Sequence, residues 1–352
     1  MSKFKVGVIF GGVSTEHEVS IVSGTAIIEK LSKEKYEILP IYISKEGKWY
    51  KYTKPVEEIV VLKVGDTISE IEEIDDVIGY LKTLDIAFPV LHGLNGEDGT
   101  IQGLFELLNI KYVGCKVLAS SVCMDKVYAK IVFDKANIEQ AKYIYIKVED
   151  GNYVYVDEDF NEEKLTIDKI SELVEEKLDF PVFVKPSNSG SSVGINKASN
   201  AEELKEAIEY AQKFDFKILI EEEIIGREVE CAVLGNTDIK ATCIGEVLAA
   251  EEFYTFDAKY KNAASRVVIP AEIEPQVQEE IKRLAIKAFK AVDGKGLSRV
   301  DFFIRKKDNK ICINEINTLP GFTQISMYPK LWEKSGLPYE ELLDRLIELA
   351  NN

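Results

Sequence analysis

The feature that most constrains this chain is a pair of apolar segments near its C-terminus that contain acidic residues. Residues 298–304 and 311–321 are rich in Val, Ile and Phe, and the polar stretch 306–309 between them has the composition of a turn. Apolar neighbours favour burial, and a buried carboxylate needs a partner charge. The two segments therefore predict a buried hairpin whose acids hold a cation.

The polar side chains of this hairpin are expected to share one face. Arg299 and Asp301 are two residues apart, as are Glu315 and Asn317, and such pairs point to the same side of a strand. If Asp301 lies opposite Glu315, two carboxylates and an amide oxygen converge. Two negative charges at such a short distance repel each other unless a cation lies between them. All-oxygen ligands of this kind suit Mg²⁺ or Mn²⁺, with phosphate oxygens completing the coordination. The alternative is an exposed hairpin with scattered charges, which the apolar flanks argue against.

Composition and charge limit the class of protein. The chain has 352 residues, of which 46% are hydrophobic and 30% charged, as expected of a globular protein with two or three domains. No apolar run reaches the roughly 18 residues of a membrane helix, and residues 1–10 lack the features of a signal peptide. The net charge of −17 argues against nucleic-acid and anionic-membrane partners. We therefore expect a cytoplasmic protein.

The order of helix and strand patterns predicts three domains. Strands alternate with helices over about the first 115 residues, which implies a doubly wound parallel sheet. Ligands of such sheets bind at the C-terminal ends of the strands, where the pairs Gly11-Gly12 and His92-Gly93 fall. From residue 180 onwards the pattern is of α+β type. The predicted domains are an N-terminal α/β domain, a central lobe and a C-terminal lobe, covering residues 1–118, 119–222 and 223–352.

A loop rich in glycine and serine is a candidate phosphate site. It covers residues 187–194 and follows a strand that contains Lys185. Small residues let backbone N–H groups turn inward and surround an anion, and Lys185 and Lys126 are candidate cations beside it. A flexible hairpin tip is the alternative. The sequence contains neither a Walker A motif nor Gly-x-Gly-x-x-Gly, so a P-loop or dinucleotide site is not predicted.

Three further segments are candidate parts of a site. Residues 217–228 form a strand that runs into an acidic turn, where a strand edge can bind adenine and an acid can bind ribose; a solvated turn is the alternative. Glu16 opens a helix behind Gly11-Gly12 and points towards the expected cleft, although acids are common there. Residues 251–260 carry aromatic side chains without periodicity, which is typical of a loop that packs on a neighbouring element or closes over a ligand, and a lid is the preferred interpretation.

Taken together, these segments resemble the D-alanine–D-alanine ligases of the ATP-grasp superfamily over nearly the whole chain. The matching stretches are in the expected order, at residues 10–20, 91–99, 185–194, 257–260 and 314–323. The resemblance implies an N-terminal doubly wound domain followed by two ATP-grasp lobes that enclose the nucleotide. It also implies ATP-dependent ligation of two D-alanines through a D-alanyl phosphate, for peptidoglycan precursor synthesis.

The resemblance assigns roles to individual residues. Two magnesium or manganese ions would lie on Asp301, Glu315 and Asn317. ATP would contact Lys126, Lys185, Ser191, Ser192, Glu221, Glu222, Ile224, Glu228 and Lys259. The implied catalytic residues are Glu16, Ser191, Tyr260, Arg299 and Gly321. The implied D-alanine-binding residues are Glu16, His92, Tyr254, Lys259, Ser326 and Met327.

Related activities remain as alternatives. Ligases of this family that add D-lactate typically lack a tyrosine at the position of Tyr260, and those that add D-serine tend to carry a polar or cationic residue at the position of Met327. An apolar Met327 offers no partner to a hydroxyl group, so D-alanine is favoured. A nucleotide-binding regulator without activity and a nicotinamide dehydrogenase are the alternatives from other classes. The expected partners are D-alanine and ATP, and the sequence leaves open whether the protein is a homodimer.

Overall fold

The computed structural model describes residues 3–149, 151–248 and 266–352, and these form three β-sheets with helices packed on them. The first sheet has the order β4-β3-β2-β1-β5. Its strands are β1 (Phe4–Gly11), β2 (Tyr36–Ile43), β3 (Trp49–Tyr52), β4 (Ile71–Glu73) and β5 (Ile86–Pro89). The associated helices are α1 (His17–Lys30), a short 3₁₀ helix (Val56–Glu58), α2 (Val77–Leu81) and α3 (Thr100–Leu108).

The first sheet is covered on both faces. Strand β1 pairs in parallel with both β2 and β5, while β3 and β4 extend the edge in antiparallel pairing. Alternate residues of β1 enter different cores, because Phe10 packs in the core that contains Ile27 of α1, and Ile9 in the core that contains Phe105 of α3. The predicted doubly wound N-terminal domain is confirmed, with an antiparallel extension that the sequence patterns did not predict.

The second sheet has the order β10-β9-β11-β6-β7-β8 and is antiparallel throughout. Its strands are β6 (Tyr143–Glu149), β7 (Asn152–Val156), β8 (Glu162–Leu165), β9 (Val182–Pro186), β10 (Asn196–Ala198) and β11 (Lys217–Glu222). Helices α6 (Ile167–Lys177) and α7 (Ala201–Ala211) cover one face, against residues such as Val184 and Ile220. Alternation then places Lys185 and Glu221 on the opposite face.

The third sheet has the order β14-β13-β12-β15-β16. Its strands are β12 (Gly226–Leu234), β13 (Lys240–Leu248), β14 (Arg266–Val268), β15 (Leu297–Arg305) and β16 (Ile311–Asn317). The remaining helices are α4 (Val117–Met124), α5 (Lys126–Lys135), α8 (Pro275–Ala291), α9 (Met327–Lys334) and α10 (Tyr339–Asn351). Residues of α4, α5 and α8 form one core with Phe302 of β15, whereas α9 and α10 share a core with the first sheet.

The three sheets correspond to the predicted N-terminal domain and two α+β lobes. Residue 118 lies within α4 and residue 222 is the last residue of β11. The predicted limits at these residues stay predictions. Among the residues that the structure describes, none of the helices combines the length and apolar composition that crossing a bilayer requires.

Gly11, at the end of β1, lets the chain pass close to β2. Its φ is +90°, and a Cβ there would lie 2.2 Å from the carbonyl oxygen of Ile43. We expect Gly11→Ala to destabilise the protein by about 3 kcal/mol or more, because left-handed strain of roughly 1–2 kcal/mol adds to this clash. Gly65→Ala is the matched control, since its φ is +91° and no atom lies within 4 Å of its added Cβ. Thermal melts measure both variants, and equal shifts would contradict a role for the close approach.

Candidate active site

A cleft opens where the three sheets meet, and most of the predicted site residues line it. The N-terminal domain contributes Glu16 and His92. The second sheet and α5 contribute Lys126, Lys185, Ser191 and Ser192. The third sheet and the segment after it contribute Glu228, Arg299, Asp301, Glu315, Asn317, Gly321, Ser326 and Met327. Residues far apart in sequence therefore converge on one cleft.

The hairpin of β15 and β16 has the predicted register. Asp301 lies opposite Glu315 and Arg299 opposite Asn317, with a bulge at the next position. Arg299 donates to Asp301 through Nε–Oδ1 and Nη2–Oδ2 bonds of 2.7 and 2.6 Å. The amide nitrogen of Asn317 donates to Asp301 Oδ2 at 3.1 Å and to Glu315 Oε1 at 3.5 Å. The polar groups that alternation predicted on one face are thus in contact.

Arg299 is held by two carboxylates within the sheet. Glu230 of β12 lies opposite Asp301 in the neighbouring pairing, and its Oε2 is 2.9 Å from Arg299 Nε. Burial alone would lower the pKa of Arg299, but Asp301 and Glu230 outweigh it and raise that pKa. The guanidinium therefore stays charged at the floor of the cleft. The sequence analysis did not identify Glu230, although it lies two residues after Glu228 and so on the same face of a strand.

The hairpin fits a divalent ion by the chemistry of its donors. Asp301 and Glu315 offer carboxylate oxygens from adjacent strands, and Asn317, whose amide nitrogen contacts both carboxylates in this structure, can offer its amide oxygen when a cation replaces those contacts. Among the described residues, no group of three or more His, Cys, Asp and Glu side chains is arranged to hold a metal. The described residues of the hairpin therefore do not supply a full set of metal ligands. Two carboxylates are instead typical of a magnesium site in which phosphate oxygens supply the remaining ligands. The residues present fit such an ion.

The glycine- and serine-rich loop is held against the start of α5. Lys126, the first residue of α5, donates through Nζ to the carbonyl oxygen of Ser189. Burial lowers the pKa of Lys126, and the nearby Glu315 opposes this. Ser191 and Ser192 have φ values of +51° and +60°. Successive residues of this kind can turn backbone N–H groups towards an anion.

Glu16 and His92 bring the N-terminal domain into contact with the two lobes at the cleft. A Cβ on Gly93 or Gly190 would lie 2.7 or 3.0 Å from Glu16 Oε2, so this carboxylate sits between two backbone segments. His92 is buried, and its Nδ1 N–H donates to the carbonyl oxygen of Leu319 at 3.1 Å. Burial would lower the pKa of His92, but the nearby carboxylate of Glu97 raises it overall.

The comparisons with known proteins identify the family. The family model described as D-ala D-ala ligase N-terminus matches residues 5–115, and the one described as D-ala D-ala ligase C-terminus matches residues 132–348. The chain belongs to the D-alanine–D-alanine ligase family. The D-alanine–D-alanine ligase of Acetivibrio thermocellus is 49% identical over 99% of this chain and 96% of its own. D-alanine–D-alanine ligase B of Clostridium tetani is 50% identical over 100% of this chain and 95% of its own.

A solved structure of the same family has the same fold. The VanG D-Ala:D-Ser ligase from Enterococcus faecalis superposes with a TM-score of 0.84 at 36% identity, covering 99% of this chain and 100% of its own. The two lobes that follow the N-terminal domain are therefore the ATP-grasp lobes of a D-alanine–D-alanine ligase family member, as the resemblance implied.

Three residues predicted to bind the nucleotide, Glu221, Glu222 and Ile224, are not among the described residues that line the cleft. Glu221 is buried and pairs with Lys185 and with Lys130, whose Nζ is 2.9 Å from Glu221 Oε2. Burial would raise the pKa of Glu221, but the two lysines lower it to about 2. The assignment of these residues to ATP remains a prediction for this ligase family member.

Two of the implied D-alanine-binding residues, Ser326 and Met327, lie at the start of α9. The Ser326 hydroxyl accepts from the Thr323 backbone N–H at 3.0 Å. Met327 is 8% exposed, and its Sδ lies 2.7 Å from where a Cβ on Gly245 would be. Tyr254, Lys259 and Tyr260 lie outside the described residues, so their predicted roles in this family member stay predictions.

Proposed function

We propose that the protein joins two D-alanines into D-alanyl-D-alanine, with ATP converted to ADP and phosphate, as a step of peptidoglycan precursor synthesis. The observation that carries this proposal is the convergence of Asp301, Glu315 and Arg299 with Lys126 and Lys185 on one cleft, in a chain of this family. Because the reaction consumes ATP, we place it in the cytoplasm.

The nucleotide would lie between the two ATP-grasp lobes. Lys126, Lys185 and the backbone of Ser191 and Ser192 would bind its phosphates, since they supply the cations and N–H groups at the cleft. Glu228 would bind the ribose. The residues proposed for the adenine and the rest of the nucleotide are Glu221, Glu222, Ile224 and Lys259.

Asp301, Glu315 and Asn317 would hold two magnesium or manganese ions. When bound, these ions supply charge neutralisation for the phosphoryl group and orient it. The chain's own contribution is to fix the oxygen ligands on adjacent strands, where Arg299 and Asn317 already orient the Asp301 carboxylate.

The chemistry requires activation of a carboxylate. An amine does not displace oxide from a carboxylate, so a carboxylate oxygen of the first D-alanine attacks the γ-phosphorus, and ADP leaves. The amine of the second D-alanine then attacks the carbonyl carbon of the D-alanyl phosphate. Phosphate leaves with the oxygen that made the first attack, and the new amide nitrogen loses a proton.

Residues of all three domains would position these steps. Glu16 would hold the ammonium group of the first D-alanine, with Ser191 and Tyr260 as its hydrogen-bonded partners. Arg299 and the backbone N–H of Gly321 would donate to the tetrahedral oxyanion, which is where such donors lower the barrier.

Each substrate carboxylate has its own candidate contacts. His92 would lie near the carboxylate of the first D-alanine, and Ser326 with the backbone of Met327 would contact that of the second. Tyr254 and Lys259 are further candidates for substrate binding.

The second candidate is a ligase that adds D-serine or D-lactate. The similarity to the VanG D-Ala:D-Ser ligase favours the D-serine form of this candidate. The apolar Met327 argues for D-alanine, because a thioether offers a hydroxyl group only a weak acceptor.

Incubation with Mg·ATP and D-alanine, alone or mixed with D-serine or D-lactate, separates these candidates. We expect one phosphate per D-alanyl-D-alanine formed, and the same dipeptide as the main product of every mixture, as measured by phosphate release and product mass. A mixed product in excess would support the second candidate. Absence of phosphate release from all substrates would contradict both.

A further inference from the structure

A cluster of two lysines and one glutamate lies at the wall of the cleft, where Lys185 faces the cleft and Lys130 and Glu221 are buried. Glu221 of β11 and Lys185 of β9 lie on the same face of adjacent strands, and Lys185 Nζ contacts Glu221 Oε1. Lys130 reaches the other carboxylate oxygen from α5, with 2.9 Å between Nζ and Oε2. Lys130 is 4% exposed and Glu221 6% exposed. Both cations therefore share one carboxylate away from water.

Lys185 and Lys130 differ in their access to the cleft. Lys185 lines it, whereas Lys130 is not among the described residues that do. Lys130 is fixed by further contacts, since its Nζ donates to the Ala141 carbonyl oxygen at 3.2 Å and lies 5.0 Å from the centre of the Tyr143 ring. The first lysine can thus exchange its partner for a ligand, while the second stays in place.

The exchange would be unfavourable without the second lysine. If Lys185 left Glu221 for a phosphate and no other cation remained, a charged carboxylate would be buried without a partner. Glu221 would then compete with the nucleotide for Lys185. With Lys130 present, the carboxylate keeps one ion pair in either state. The pKa of Glu221, held at about 2 by Lys130 and Lys185 against the effect of burial, agrees with a carboxylate that stays charged.

We propose that Lys130 is a positioning residue of the nucleotide site, which keeps Glu221 paired and in place so that Lys185 is released to bind phosphate. This inference rests on the proposed function, because it assumes that Lys185 binds a nucleotide phosphate. It assigns to Lys130 no contact with either substrate.

The test measures nucleotide binding directly. Titration calorimetry with a non-hydrolysable ATP analogue and magnesium is expected to give a Kd about tenfold higher for Lys130→Met than for the wild type. The KM for ATP should rise by a similar factor, while kcat at saturating ATP and the KM for D-alanine stay within about twofold. The control is Arg305→Met, which removes another cation that is 8% exposed and pairs with Asp308 and Glu139. It should lower thermal stability without changing nucleotide affinity.

A second comparison isolates the role of Glu221, because the double variant carries neither the carboxylate nor Lys130. In a Glu221→Gln background, adding Lys130→Met should leave nucleotide affinity unchanged, because the carboxylate through which Lys130 acts is absent. A tenfold loss in that background as well, or wild-type affinity in Lys130→Met alone, would overturn the inference. Failure of the wild-type protein to bind the analogue would instead overturn the proposed function.

Discussion

Replacing Asp301 by asparagine or Glu315 by glutamine is expected to lower kcat for D-alanine ligation by about 10³-fold or more. Each change keeps the shape of the side chain and removes one of the two carboxylates that face each other on β15 and β16. Ions held there would neutralise the phosphoryl group and contribute several kcal/mol to its transfer, so each charge is expected to matter for kcat. Steady-state phosphate release measures the effect.

The fold should survive both changes. A control in the same hairpin tests whether the loss of rate is specific to the carboxylates that line the cleft. Asp308, in the turn, accepts from Arg305 through two bonds of 2.9 and 2.8 Å, and it is not among the described residues that line the cleft. Asp308→Asn should therefore keep its rate while losing an ion pair. Binding of Mn²⁺, followed by electron paramagnetic resonance, should weaken in Asp301→Asn and Glu315→Gln but not in Asp308→Asn. Wild-type rates in either of the first two variants would refute the metal assignment.

The second large effect is expected at Arg299. Arg299→Lys keeps a positive charge but loses the two parallel bonds to Asp301, because an ammonium group cannot match the planar guanidinium. We expect kcat to fall by about 10²–10³-fold, as when a donor to an oxyanion is removed. The KM for ATP should change much less, since the oxyanion forms only after nucleotide binding. Steady-state kinetics with ATP and D-alanine varied separately measure both.

A matched arginine tests whether this loss is specific to the cleft. Arg227 forms the same kind of paired contact with Glu246, with bonds of 2.6 and 2.7 Å in the same sheet. It is not among the described residues that line the cleft. Arg227→Lys should therefore retain kcat, and comparable losses in both variants would show that the effect comes from the sheet as a whole.

The hairpin could be predicted because its signals are local. Alternation of side chains along β15 and β16 places Arg299, Asp301, Glu315 and Asn317 on one face, and the short turn brings the two strands into register. Helices α3 and α8 carry local signals as well, because apolar residues recur at the helical spacing on one face of each.

Other elements depend on contacts that a linear pattern does not reveal. The acidic composition of residues 148–163 favours a solvated excursion, but part of this stretch pairs as β7 and the start of β8. Strand β8, with sequence Glu-Glu-Lys-Leu, has no apolar alternation and exists because the neighbouring strand offers an edge. The helix-like pattern of residues 120–135 belongs to two helices, α4 and α5, because Asp125 caps α5 by accepting from the Tyr128 N–H at 3.1 Å.

The residues of the candidate site likewise divide into those with a local sequence signal and those without one. Residues within recognisable motifs were predicted, apart from Glu97, whose contact with His92 in the same motif depends on how the turn folds. Lys130 and Glu230 were missed because their partners, Glu221 and Arg299, come from other segments. Such pairings follow from strand order and helix packing. They became visible only when α5 and β12 were placed beside their neighbours.

Transfer of a labelled oxygen from D-alanine to phosphate during turnover is the most direct test of the D-alanyl phosphate intermediate. The protein is incubated with Mg·ATP and D-alanine labelled with oxygen-18 in both carboxylate positions, and the products are analysed by mass spectrometry. We predict one labelled oxygen in each released phosphate, because the oxygen that attacks the γ-phosphorus leaves with it. Unlabelled phosphate, formed together with D-alanyl-D-alanine or without it, would contradict a D-alanyl phosphate intermediate.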